Sequence, residues 1–523
     1  MADRLSLAVS GVIAAMVGCG NGHSGAAPDA PASSDASPDA GVPRAALGVR
    51  LVDHDAVIQG VTSDGYVIYT DTPNGSPVAH AIPLDGGADR VIATSASSSR
   101  DDVRVAISGA LVFVWSGRGN RSATLTLWSA AMGAVQRSTV ARPGRAAATA
   151  DGTRILYEQN GAAAAADIVT GPLAGPDVVI DTANTQDGTC WRDTDLVAVA
   201  GRVVARYCPP GATAWRLRSI APDGTSVDLT QSADRALYTA SRAVWLEAGG
   251  TLRASADALT STVIASDAAE MALTRDAAEL VYRSTSGAIA AGPSAGKASD
   301  FAALVTGGAM RLGALAPDGR HVLYATALRS AAAADVAPYA DVRVAGGGAT
   351  TALVAGTTSC AACLRDSFTA DAGYALVLDP IDNSKTGAGR GAIAVHAVGD
   401  GKPLSRFGQS TYQAIRIDGS GAATRFVFIA AERDQKLLTG WAYQLTLRAL
   451  DGSAAELALL SAAENFWLDA GRGLLVSSFG GTDAVAGIWV YRFDRPAELA
   501  GPAAAATTPP VTGRRWAGAP DED

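Results

Sequence analysis

Cysteine and histidine are scarce in this chain: 523 residues include five of each. The histidines, His23, His54, His80, His321 and His396, are scattered with no two at chelating spacing, so the sequence spells no zinc motif. No window concentrates Lys and Arg, and the formal net charge is −9. Neutralisation of nucleic-acid phosphates needs such a cluster, so nucleic acid is not an expected partner. Beyond residue 18 no segment approaches the roughly 20 continuous apolar residues of a membrane helix, and the rest of the chain is expected to be soluble. Long helical patterns are missing too: alanine-rich runs such as "GAAAAAD" are short and bounded by glycine. What the chain has in quantity is glycine, 57 residues, between short stretches of alternating apolar residues. That pattern is one of strands and tight turns.

The single uninterrupted apolar run lies at the amino terminus. Residues 1–4 (MADR) form a short n-region and residues 5–18 (LSLAVSGVIAAMVG) an apolar h-region without stop-transfer charges, as in a signal peptide. Its end, Met16-Val17-Gly18-Cys19, resembles the bacterial lipobox, which implies that Cys19 is diacylated and becomes the first residue after cleavage. Met16 stands where Leu is usual, and Asp3 weakens the positive n-region. The alternative is an ordinary secretory signal with an incidental cysteine. Residues 19–44, the lipidated cysteine and a run of Gly, Ala, Ser, Pro and Asp, have almost nothing to bury and read as a disordered tether. Gly20 rather than Asp after the cysteine favours the outer membrane.

Setting Cys19 aside, an even number of cysteines remains, as a disulfide framework in an oxidising compartment requires. Cys190 and Cys208 flank two apolar runs that form a hairpin with adjoining ends; Cys360 and Cys363 enclose a tight loop. A redox pair or half a zinc site is the rival reading of Cys-Ala-Ala-Cys. No second CxxC or nearby His completes a zinc tetrad, and no βαβ pattern surrounds it.

A repeat organises the rest. "LAPDGRHVLYAT", residues 315–326, recurs in degraded form as "VTSDGYVIYTD", "ATADGTRILYEQ", "QSADRALYTAS", "LTRDAAELVYRS", "FTADAGYALVLD" and "WLDAGRGLLVSS". The markers are Asp64, Asp151, Asp234, Asp276, Asp318, Asp371 and Asp469. Asp-Gly supplies a tight turn with glycine at positive φ, and the alternation after it is read as a half-buried strand. Each copy is followed by a hairpin of alternating residues, such as "WRLRSIAPDGTSVDL". Turn, strand and hairpin make about four strands per unit, at a period near that of a propeller blade.

The unit resembles the TolB-like, WD-related propeller repeat, most closely at Ala316-Pro317-Asp318-Gly319. The resemblance implies an all-β fold, a β-propeller over residues 45–500 of about ten four-stranded units, arranged as one large ring or two smaller ones. Residues 501–523 are Pro/Ala-rich and polar, a composition expected of a disordered tail.

Candidate chemistry is sparse. Gly292-Pro293-Ser294-Ala295-Gly296 has the spacing of a nucleophile elbow but lies in a Gly/Ala/Ser stretch between two blade signals, where no α/β sheet surrounds it. Gly296-Lys297 lacks the remaining residues of a phosphate-binding loop. Asp379, Asp382 and Asn383 offer oxygens without the alternating loop calcium needs. His80, His321 and His396 fall on strand positions, where a hydrogen-bonded structural imidazole is expected, and the tryptophans on positions suited to packing between blades. No catalytic residue, cofactor or metal ligand is assigned.

The sequence therefore reads as an exported, lipid-anchored envelope protein that binds or scaffolds another envelope protein, a peptide or a glycan. Its rivals are a propeller-type hydrolase or lyase with a carboxylate or metal site at the central channel, and a purely structural surface protein.

Overall fold

The computed structural model describes residues 8–9 and most of 48–492. Outside the described residues lie, among others, 10–47, 97–101, 118–122, 185–194, 275–277, 330–338, 359–367, 381–390, 433–441, 470–473, 480–485 and 493–523. Among the described residues the structure is all β, with a 3-10 turn at Ala298–Asp300. Ala8–Val9 pairs in parallel with Tyr238 and Thr239.

The strands form eight hydrogen-bonded sheets. Six of them contain one four-stranded antiparallel meander each; the seven-stranded sheet contains two that share the long strand Gly133–Ala148, and the six-stranded sheet joins a three-stranded unit to a four-stranded one through Pro403–Ile417. Counted along the chain, blade 1 spans residues 56–94, blade 2 103–141, blade 3 141–184, blade 4 195–230, blade 5 233–265, blade 6 268–305 and blade 7 311–358. Blade 8 follows from the Phe368–Ala375 bridge to residue 411, blade 9 runs to 461, and blade 10 occupies 463–492. Blade 10 supplies three strands from its own stretch. Its fourth and outermost strand is Val49–Val52 from the other end of the chain, antiparallel to Gly487–Arg492 with Val49 opposite Val490 and Arg50 opposite Trp489.

Successive blades pack on one another, and blade 10 packs on blade 1, so the units form one closed ring, a β-propeller. The seams are filled by apolar clusters: Ile68, Val112 and Trp128 between blades 1 and 2, Tyr207 and Leu156 between 3 and 4, Trp215 and Trp245 between 4 and 5, and Trp467 and Val476 against Val67 and Tyr69 between 10 and 1.

Packing against two neighbours corrects one sequence expectation. In blade 2 the second strand is not half-buried: Leu111–Ser116 is buried along its whole length. Its alternation distributes side chains between two seams rather than between core and water. Leu111, Phe113 and Trp115 join the cluster with blade 3, while Val112 and Val114 join the cluster with blade 1. Water is met instead by the outermost strands, such as Ser226–Thr230.

Asp64, Asp151, Asp318 and Asp371 lie in the turn between the first and second strands of their blades. At Asp151 and Asp371 the carboxylate accepts from the hydroxyl of a threonine two residues earlier, Thr149 or Thr369, at 2.5 Å in each case. That hydroxyl oxygen in turn accepts the N–H opening the second strand, from Arg154 or Tyr374 at 3.1 Å. Thr62 accepts from Tyr66, and Thr274 from Glu279, in the same way. The threonine is thus as much a part of the repeat as the aspartate.

Asp234 does not belong to such a turn: it lies in strand Ala233–Thr239, beside a register shift, and the turn of blade 5 comes later at residues 240–242. Asp469 ends strand Ala463–Asp469, opposite Leu474, and Asp276 lies outside the described residues. His321 sits in the turn of blade 7, not in a strand, with Nδ1 2.6 Å from Asp318 Oδ2.

Candidate functional site at the closing seam

A compact group of titratable side chains forms where the ring closes. After Val49–Val52 completes blade 10, residues 53–55 carry the chain to Ala56–Val61, the innermost strand of blade 1. That connection places His54 beside the end of the second strand, Tyr66–Asp71, because Ala56 is paired with Asp71. The third strand, Val78–Pro83, pairs Tyr69 with His80, and strand periodicity puts Tyr69, Asp71 and His80 on one face.

His54 Nε2 is 2.8 Å from Asp71 Oδ2, and His80 Nε2 is 3.1 Å from Asp71 Oδ1. The other nitrogen of His80 is 2.7 Å from Asp89 Oδ2, in the turn before the outermost strand. Tyr69 stacks on His80, ring centroids 4.8 Å apart and planes 8° from parallel. Asp71 and His80 are buried, 5% and 8% exposed, whereas the His54 side chain is half exposed.

The electrostatics follow from this geometry. Burial alone raises a carboxylate, but the bonds from His80 and His54 outweigh it and leave Asp71 below its ordinary value. Burial alone lowers an imidazole, but Asp71 and Asp89 outweigh it and raise His80. Burial, then Asp89 and Asp71, hold Tyr69 far above the phenol range, so it stays neutral. A ring nitrogen facing a carboxylate must carry a proton to attract it, and both nitrogens of His80 face one. The cluster is thus built around an imidazolium.

Other seams also hold carboxylates with different partners, Asp195 and Glu270 among them buried. Asp195 accepts from Arg206 at 3.2 Å and from Tyr238 at 3.3 Å. Glu270 receives Arg283, Arg311 and the Leu312 N–H at 2.7–3.0 Å. Asp181 receives Arg216, Arg218 and the Tyr207 hydroxyl, and Asp177 receives Arg137 and Tyr157. Sequence reading found none of these sets, because their members come from different blades.

The remaining sequence candidates are dispersed. Ser294 is fully buried, accepts from Arg242 and donates to the Ala278 carbonyl, so it is no exposed nucleophile. His396 Nδ1 is 3.0 Å from the Gly401 carbonyl. Cys208 is buried at the end of strand Arg202–Tyr207, while Cys19, Cys190, Cys360 and Cys363 lie outside the described residues. The innermost strands expose Arg104, Asp234, Arg235 and Arg311. Among the described residues no group of three or more His, Cys, Asp or Glu is placed to hold a metal ion.

No family model matches the sequence, and no curated protein matches it. Solved structures with a similar trace include the tricorn protease, at 12% identity, 85% of this chain, 52% of that one and a TM-score of 0.33. They also include TolB from Acinetobacter baumannii, at 13% identity, 45% and 62% coverage and 0.25, and the β-propeller domain of the Trilobed protease from Pyrococcus furiosus, at 10%, 57% and 98% and 0.29. The chain spans about half the tricorn protease chain. Likenesses at these scores carry no argument, and the propeller assignment rests on the strand order and the closure by Val49–Val52.

Proposed function

We propose that this protein is a binding or scaffolding module of the bacterial cell envelope, anchored by lipid on Cys19 and presenting its ring to an envelope protein, peptide or glycan. Cys190 with Cys208, and Cys360 with Cys363, are its structural disulfides in this reading. One observation carries it. The first strand of the ring, Val49–Val52, is the outermost strand of blade 10, so the chain enters the ring at its perimeter and not through a mouth. The exposed charges of the inner strands, Arg104, Asp234, Arg235 and Arg311, supply polar contacts there. Among the described residues no helix is long and apolar enough to cross a membrane.

A propeller-type hydrolase or lyase is the competing reading. It calls for imidazoles and carboxylates turned toward a substrate, whereas those of His54, Asp71, His80 and Asp89 engage one another.

The test is capture from solubilised envelope of its host by the full-length protein and by an Arg104→Glu, Arg235→Glu variant. Retention of a specific envelope component by the native protein, weakened by the substitutions, is expected. A native protein that retains no protein, peptide or glycan contradicts the reading.

A further inference from the structure

Arginine and tyrosine satisfy the carboxylates of four seams, between blades 2 and 3, 3 and 4, 4 and 5, and 6 and 7, of which Asp195 and Glu270 are buried. Arginine does not lose its proton in the physiological range. The seam between blades 10 and 1 is the one where the two ends of the ring meet, and there the buried carboxylate is held by histidines instead. Histidine changes charge between about pH 5 and 8. No covalent connection across this seam is needed to close blade 10 on its outermost strand; the closing ladder runs from Val49–Val52 to Gly487–Arg492.

We propose that His54, Asp71, His80 and Asp89 form a pH-sensitive clasp on the ring closure, holding the closing strand in weakly acidic surroundings and loosening it when His80 loses its proton.

The argument is geometric. His80 sits between Asp71 at 3.1 Å and Asp89 at 2.7 Å, so only the imidazolium donates to both. Removing its proton turns one nitrogen into an acceptor facing a carboxylate oxygen, and that side of the bridge becomes repulsive. Asp71 is the point shared with His54, and His54 belongs to the three-residue connection that follows the closing strand directly. Disturbing Asp71 therefore acts on Val49–Val52 through one residue.

The groups facing the clasp are few. Asp71 comes from the second strand and Asp89 from the turn before the outermost strand of blade 1; Asp53 approaches the second nitrogen of His54 at 3.4 Å. From blade 10 the side chains packed with Tyr69 are apolar, Trp467, Leu474, Val476, Ile488 and Val490. Arg50 binds the Ala486 carbonyl and lies over the Trp489 ring, Arg492 pairs with Asp85, and Asp55 stands in the connection. The raised His80 and lowered Asp71 described above have the signs such a clasp requires.

Amide hydrogen exchange on the full-length protein tests it, with protection factors corrected for intrinsic exchange at pH 5.5, 7 and 8.5. The internal reference is Ala243–Glu247, a second strand of blade 5 in a seam without histidine. Protection of Val49–Val52 relative to that reference is expected to fall at least tenfold from pH 5.5 to 8.5, and His80→Gln to abolish the dependence. A flat ratio in the native protein, or an unchanged dependence in His80→Gln, overturns the proposal. Asp89→Asn is the second variant if His80→Gln does not fold. It leaves His80 one carboxylate, so the loosening is expected at lower pH, and an unmoved transition counts equally against the clasp.

Discussion

His54 lies 2.8 Å from Asp71, and this contact fastens the connection leaving the closing strand to the second strand of the first blade. Asp71 is 5% exposed and bound on both oxygens, so its charge is compensated only while both histidines remain in place. Removing one partner of a buried ionic group costs more than an exposed pair contributes, because the other is left uncompensated. Asp71→Asn is expected to destabilise the protein by about 3 kcal/mol near pH 6. Urea unfolding checks this, and a loss no larger than that of a surface substitution, about 0.5 kcal/mol, contradicts it.

Stability should depend on pH with a definite sign. The folded Asp71 lies below its ordinary 3.8, so its contribution is complete above that value and is lost as the pH falls. The folded His80 lies above its ordinary 6.5, so its contribution is complete below 6.5 and is lost as the pH rises through the higher folded value. Asp181, Glu270 and Asp371, all lowered in the fold, reinforce the acid limb. The urea midpoint is expected to peak between pH 3.8 and 6.5 and to decline above it. A midpoint that climbs steadily from pH 6.5 to about 9 contradicts the assignment.

Gly487 opens the last strand at φ +127, beside the Val52 carbonyl. A Cβ there collides with that oxygen, and the backbone angle is one that L-residues rarely adopt. Gly487→Ala is expected to cost about 2–4 kcal/mol and to loosen Val49–Val52 first. An unchanged unfolding midpoint with undiminished protection of those amides is the contrary result.

The threonine of the repeat turn is a separate site. Thr369 links the Asp371 carboxylate to the Tyr374 N–H, and Asp371 also accepts the Gly421 N–H at 2.8 Å from the neighbouring blade. Thr369→Val keeps the shape and removes the hydroxyl, leaving the Tyr374 N–H without its acceptor. A loss of about 1–2 kcal/mol is expected from chemical denaturation, and a neutral result contradicts the role given to this hydroxyl.

Lipid attachment is tested in cells. Cys19→Ser is expected to move the protein from the membrane fraction to the soluble one. Unchanged membrane association contradicts the anchor.

The fold was legible wherever the signal is local. Asp-Gly turns with alternating strands repeat because each blade solves the same packing problem. The threonine in Thr62-Ser63-Asp64, Thr149-Ala150-Asp151, Thr274-Arg275-Asp276 and Thr369-Ala370-Asp371 recurs as regularly as the aspartate, beside the more conspicuous Asp-Gly. Asp234 misleads because "SAD" copies the letters of the turn at a strand bulge. Ring closure had a subtler signal: "GVRLV" stands as a single strand before the first unit, while the last unit is one strand short. The closing cluster had none. His54 and His80 meet on Asp71 only because the chain enters blade 1 from blade 10, a relation that spacing along the sequence does not contain.

The claim beneath all of this is that the two ends of the repeat array meet in one blade. Val49 and Val490 are directly opposed across the closing ladder, so a Val49→Cys, Val490→Cys double variant should form a disulfide between these positions on mild oxidation of the folded protein. The predicted result is a disulfide-linked pair of peptides spanning the two substituted positions, found by mass spectrometry in high yield and absent when the protein is oxidised unfolded in urea. A folded double variant in which that bond does not form contradicts a ring closed by its first strand.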